Sequence, residues 1–159
     1  MVLRPATAAA WGVVIGAVTL SACSTPVAST CHSRVSSGPV PAWANTGFSP
    51  GATVPHVVGD EGNIVAVLFS QPLISTSDGS PPQNKVLLVA KEVPHGPTPV
   101  TIEARLSGSD VVVERQRPDG PGPGVLDLPQ PGCWNLTLHW DGKTDTLALD
   151  YQLVPSSSR

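Results

Sequence analysis

The chain has 159 residues, 18 of them Pro and 15 Gly, with 13 % charged and 4 % aromatic residues and a formal charge of −3. That balance excludes a coiled coil, a charged disordered tail and the basic footprint of a nucleic-acid binder. The length allows one domain of ordinary size and argues against a large enzyme.

The first 23 residues differ from the rest. Arg4 is the single charge before an uncharged run from Ala6 to Leu20, and Leu20-Ser21-Ala22-Cys23 follows directly. A positive start, an apolar centre and small residues before a cut make the tripartite plan of a secretory signal, a helical segment over 1–22. The run is too short for a spanning helix, which needs about 20 apolar residues. An uncleaved anchor with an incidental cysteine is the plainer alternative. The tetrad resembles the lipobox of bacterial lipoproteins. That resemblance implies a diacylglycerol on the Cys23 thiol, cleavage before it, and often a further acyl chain on the new amino terminus. The mature chain would then be held at the extracytoplasmic face of the cell membrane by two or more acyl chains, each buried CH₂ contributing ~0.8 kcal/mol.

Three cysteines is an odd count for an exported chain. With Cys23 lipidated, Cys31 and Cys133 remain, and an oxidising location favours a disulfide between them. Two separate buried thiols are the alternative. Residues 23–41, rich in Ser, Thr and Pro without an apolar period, read as a lipidated tether. A domain follows over 42–153 and a disordered tail over 154–159.

Along the domain the apolar runs are short, β-branched and broken by Pro or Gly, which supports strands and no amphipathic helix. Asn63 to Ser70 is apolar on both faces, as in a central strand covered on each side. Lys85 to Glu92 follows a loop, 77–83, whose Pro pair cannot continue a ladder. Val100, Ile102, Ala104 and Leu106 alternate with polar residues, and Val111 to Arg117 is placed to pair with them across Ser107 to Asp110. Val125 to Leu128 forms a short strand before the corner Pro129 to Gly132. Then Trp134, Leu136, Leu138 and Trp140 share one face. Asp141-Gly142 predicts a two-residue hairpin, returning through a strand that puts Asp145, Leu147, Leu149 and Tyr151 on one face. About seven strands so spaced indicate an all-β fold, an antiparallel immunoglobulin-like sandwich, with Trp134 at its core.

The corner Pro131-Gly132-Cys133-Trp134 is similar to the one before the sixth strand of bacterial immunoglobulin-like domains. With Cys31 ahead of a Pro-rich stretch, it resembles actinobacterial secreted and lipid-anchored proteins of unknown function. The resemblance implies a fold and a compartment, and transfers no catalytic residue.

No S-x-x-K pair, H-E-x-x-H helix or C-x-x-C pair occurs in the sequence. Gly120 to Gly124 looks like a phosphate loop, yet its prolines remove the N–H groups such a loop needs. His32, His56, His95 and His139 share no strand face, and the only Met is the initiator, so no metal pair is encoded locally. Asp60-Glu61-Gly62-Asn63 lacks the spacing of a calcium loop and reads as a polar turn. Asn135-Leu136-Thr137 is a glycosylation sequon by letter only. Trp43, Phe48 and Trp140 either dock on the sandwich or face a partner, and docking is the expectation for Trp43. The expectation is a lipid-anchored, non-enzymatic binding or accessory module without cofactor. Its partners are the membrane through Cys23 and an envelope protein or cell-wall polymer, with no nucleic acid. The alternative is a small-ligand or metal-handling envelope lipoprotein.

Overall fold

The computed structural model describes residues 31–45, 47–49, 51–76, 80–92, 96 and 98–154. The signal segment 1–22 lies outside them, as does Cys23. Among the described residues the chain forms ten strands: β1 (Ser36–Gly38), β2 (Val54–Val58), β3 (Ile64–Leu68), β4 (Leu73–Thr76), β5 (Lys85–Ala90), β6 (Val100–Leu106), β7 (Val112–Arg117), β8 (Pro123–Val125), β9 (Gly132–Trp140) and β10 (Lys143–Val154). A 3₁₀ turn, Ala42–Ala44, precedes β2.

The strands make two five-stranded sheets, ordered β1-β2-β3-β5-β8 and β4-β10-β9-β6-β7. The neighbours β3-β5-β8 and β10-β9-β6 are the A-B-E and G-F-C sets of an immunoglobulin-like sandwich, with β7 added beside β6. β9 therefore takes the place of the sixth strand, and the Pro131-Gly132 corner leads into it.

Two-residue periodicity explains which side chains meet. Ile102, Ala104, Trp134, Leu136, Leu138, Leu147, Leu149 and Tyr151 point from the second sheet into the main core, against Ile64, Ala66, Leu68, Val86 and Leu88 from the first. Trp134 is fully buried, and its indole N–H donates to the Gln130 carbonyl at 2.9 Å. The predicted hairpin is present: Asp141 and Gly142 have φ of 45° and 69°, and Trp140 pairs with Lys143.

β3 is buried on both faces, as its sequence predicts. Its outer residues Val65 and Val67 lie in a second cluster with Val40 and Ala44, against which Trp43 and Phe48 pack. Here the structure corrects the tether. Ser36–Gly38 pairs with β2 and Val40 is buried, so the fold begins well before residue 42. Val154, assigned to the tail, still pairs with Thr76. Two further differences concern short strands. Leu73–Thr76 lies parallel to the end of β10, the one parallel pair among the described strands. The strand expected at 125–128 pairs instead over Pro123–Val125, where it reaches β5.

Candidate functional site

Cys31 and Cys133 are disulfide-bonded, with 5.1 Å between their Cα atoms and 102 residues between them in sequence. Cys133 is the second residue of β9 and faces outward, opposite Asp150 of β10. Beside the bridge a groove of about 230 Å³ is lined by residues that include Cys31, Ser33, Leu68, Pro72, Asp150 and Gln152. The Ser33 hydroxyl is buried there without a hydrogen-bond partner.

The acidic turn has a role its sequence did not disclose. Asp145, on the inner face of β10 and 1 % exposed, accepts four backbone N–H groups. Its Oδ1 takes those of Glu61 at 2.9 Å and Thr146 at 2.8 Å, and its Oδ2 those of Asn63 at 2.8 Å and Ile64 at 3.1 Å. Glu61, Asn63 and Ile64 thus turn their amide donors toward an anion supplied by the chain itself, an arrangement suited to an anion and not to a calcium ion. A side chain on Gly59 would overlap this carboxylate.

A second polar tie joins the sheets at the opposite end. Asn84, 1 % exposed, receives the Ile74 N–H at 2.9 Å and donates to the Ile74 carbonyl at 2.8 Å. The Asp127 Oδ1 accepts from both the backbone N–H and the side-chain amide of Asn84, each at 2.8 Å. Tyr151 donates its buried hydroxyl to the Leu126 carbonyl at 2.6 Å. Burial, then the charge of Asp127, push that phenol's pKa up from its usual value. No local pattern marks Asn84; an inward-facing Asp145 on an otherwise apolar strand face was the one available signal.

Between the edge strands β7 and β8 two arginines span the gap. Arg117 donates to the Gly122 carbonyl at 2.9 Å and lies against Gly124, where a Cβ would come within 3.2 Å of its guanidinium carbon. Arg115 reaches the Asp127 carbonyl at 3.5 Å. Burial pulls the Arg117 guanidinium pKa below its usual value, partly offset by Tyr151. Charges turned inward on an edge strand also discourage pairing with another chain. The Gly120 to Gly124 stretch is a strand connection that runs into β8, as its prolines imply.

The other sequence candidates do not converge. His32 is exposed, His56 is buried with Nδ1 2.9 Å from the Val54 carbonyl, and His139 is exposed beside Thr144. His95 lies outside the described residues. Among the described residues no three His, Cys, Asp or Glu side chains gather to hold a metal ion. Trp43 docks on the sandwich and Trp140 is buried in the main core. Asn135 is exposed, with its side-chain amide 2.9 Å from the Ser107 hydroxyl. Asp145, Asn84 and Tyr151, the buried polar groups bonded over long sequence separations, serve the joining of the two sheets, whereas buried His56 bonds within its own strand. Away from the Cys31–Cys133 bridge the outer face of the second sheet is mainly polar, with Arg105, Glu114, Asn135 and Thr146 exposed on adjoining strands. No family model matches the chain, and no curated protein or solved structure does either.

Proposed function

We propose that this chain is an exported, lipid-anchored, non-catalytic binding module of the cell envelope, held on the extracytoplasmic side by acyl chains on Cys23. The observation that carries the proposal is the Cys31–Cys133 bridge. Such bonds persist in oxidising compartments, and this pairing leaves Cys23, directly after Leu20-Ser21-Ala22, as the remaining cysteine of the three. A sandwich stapled by internal polar ties is a rigid scaffold. Its mainly polar outer sheet face, with hydrogen-bond donors and acceptors on four adjacent strands, suits contact with an envelope protein or a wall polymer.

Cross-linking of the tagged chain in intact cells, followed by mass spectrometry of what co-purifies, tests this. One near-stoichiometric partner, lost in Arg105→Glu and Asn135→Asp variants, is the expected result. Recovery of abundant envelope proteins alone, unchanged by those variants, rejects the accessory role. Cys23→Ala should release the chain from the membrane fraction, and continued retention would favour an uncleaved anchor.

A further inference from the structure

We propose that the sandwich rests end-on upon the bilayer, with Phe69, Val125, Leu153 and Val154 seated in the lipid interface. The inference rests on the lipid anchor at Cys23 proposed above and adds a second contact made by the folded domain.

Phe69 is 57 % exposed, Leu153 52 %, Val125 43 % and Val154 39 %. Pairing brings them to one end. The Phe69 N–H donates to the Lys85 carbonyl, and Lys85 pairs with Val125, so Phe69, Lys85 and Val125 form one row across β3, β5 and β8. Asn84, next to that row, is bonded to Ile74, which pairs with Gln152 of β10, and Leu153 and Val154 follow. A shallow groove of about 370 Å³ beside Phe69 is walled by Lys85, Val86 and Pro123 to Val125. Of the other exposed large apolar residues, Val35, Val58 and Val112, none belongs to this row or to the end of β10.

The opposite end is charged, with Asp60, Glu61, Lys91, Glu92 and Asp141 all exposed. Clustered apolar side chains at one end and charge at the other orient a domain at a membrane surface. Lys85, between Phe69 and Val125, can lay its stem on the apolar row while its ammonium reaches lipid phosphate.

The length of chain to the anchor selects the bilayer as occupant. Cys31 is bonded near the start of β9, so the domain is pinned in its apolar half. Only residues 24–30 separate it from Cys23, a reach of at most about 28 Å when fully extended. The nine residues of β9 place the 141–142 hairpin about 30 Å from the apolar end. An interfacial contact is only about 5–10 Å deep, so in an end-on pose the two ends cannot both touch lipid.

The test uses the full chain with a photo-crosslinking benzoylphenylalanine at Phe69, at Leu153, or at Asp141 as the far-end control. Each is purified in detergent, reconstituted into phosphatidylcholine–phosphatidylglycerol liposomes, irradiated and read by intact mass. Phospholipid adducts at 69 and 153 should exceed those at 141 by at least about tenfold, given the shallow contact depth. Equal adducts at all three positions, or none at 69 and 153, overturn the proposal. So does capture of a second copy of the chain in place of lipid. The same spectra report the anchor independently. A chain lacking acyl mass at Cys23 refutes the anchor whatever the adducts show, while an acylated chain without adducts refutes only the end-on contact.

Discussion

At the end that carries the 141–142 hairpin, one carboxylate holds four backbone N–H groups, whereas at the opposite end an amide, a second carboxylate and a phenol share the joining of the sheets. The first arrangement is concentrated: Asp145 is the one side chain that gathers several amides of the turn between β2 and β3, beside the turn's own backbone bonds and its ties to Thr146, and Gly59 is kept bare to admit it. The second is distributed, because Asp127 can still accept from the backbone of residues 83 and 84 if the Asn84 side chain is removed. A concentrated tie should fail at a single substitution, and a distributed one in stages.

The largest effect is therefore expected for Asp145→Ala. It strips the acceptor from four amides, one of them on buried Ile64, and should cost about 3–5 kcal/mol, since each buried donor left unpaired costs about 1–3 kcal/mol and exposed turn amides recover water. Urea unfolding at unchanged m-value would read it. A loss below about 1 kcal/mol would mean that water replaces the carboxylate fully. Asn84→Ala should cost less, about 2–3 kcal/mol, because it orphans chiefly the N–H and carbonyl of Ile74. If Asn84→Ala proved the worse of the two, the contrast between concentrated and distributed ties would be reversed.

The same contrast explains what could be read from the sequence. Strands β6, β9 and β10 were legible because a two-residue apolar period sorts their faces, β3 because its run is apolar throughout, and Asp141-Gly142 fixes the register of the last pair. β1, β2 and β4 were not. Each is five residues or fewer. Pro55 lies inside β2 just beyond its ladder with β3, which ends at His56–Val67, and β4 gains its place from a parallel partner far along the chain. The polar ties were invisible for a related reason: Asp145 meets amides 81 to 84 residues upstream, and Asn84 meets Asp127 across 43. Local periodicity carries no information about such distances. Cys31–Cys133 was accessible through counting cysteines and not through pattern, so the bridge could be named while the early start of the fold that it accompanies could not.

Tyr151→Phe sharpens the comparison at smaller amplitude. It keeps the buried ring and removes one hydrogen bond to Leu126, a loss of about 1 kcal/mol near neutral pH. Its pH dependence is more diagnostic. The folded-state pKa of Tyr151 is raised above the ordinary 10.0, chiefly by burial. Above pH 10 the unfolded chain therefore gives up this proton while the folded chain keeps it, so stability falls as pH rises beyond that point. Below it both states hold the proton and Tyr151 contributes no slope. Alkaline melts of the Phe variant should lack this part of the decline. Parallel alkaline curves for the two proteins would show that the phenol is not shielded.

The smallest effect belongs to the most conspicuous ion pair. Lys143, at the start of β10, bonds Glu92 and holds its carboxyl below the usual range, through the hydrogen bond first and the charge second. Glu92 is well exposed, with 72 % of its side chain accessible, so water and salt screen the pair and the two long side chains lose freedom in making it. Its carboxyl is also free to bond water as soon as the ammonium is removed. Lys143→Ala should leave the urea midpoint within error of the parent, although it stands two residues from Asp145, whose loss should be the most damaging of the four. A clear loss in Lys143→Ala that vanishes in high salt would instead make the ion pair part of the tie at this end. A loss that persists in salt would point to packing by the lysine stem. The contrast between neighbouring positions 143 and 145 thus separates a charge that water can replace from one whose donors are fixed in the turn that surrounds it.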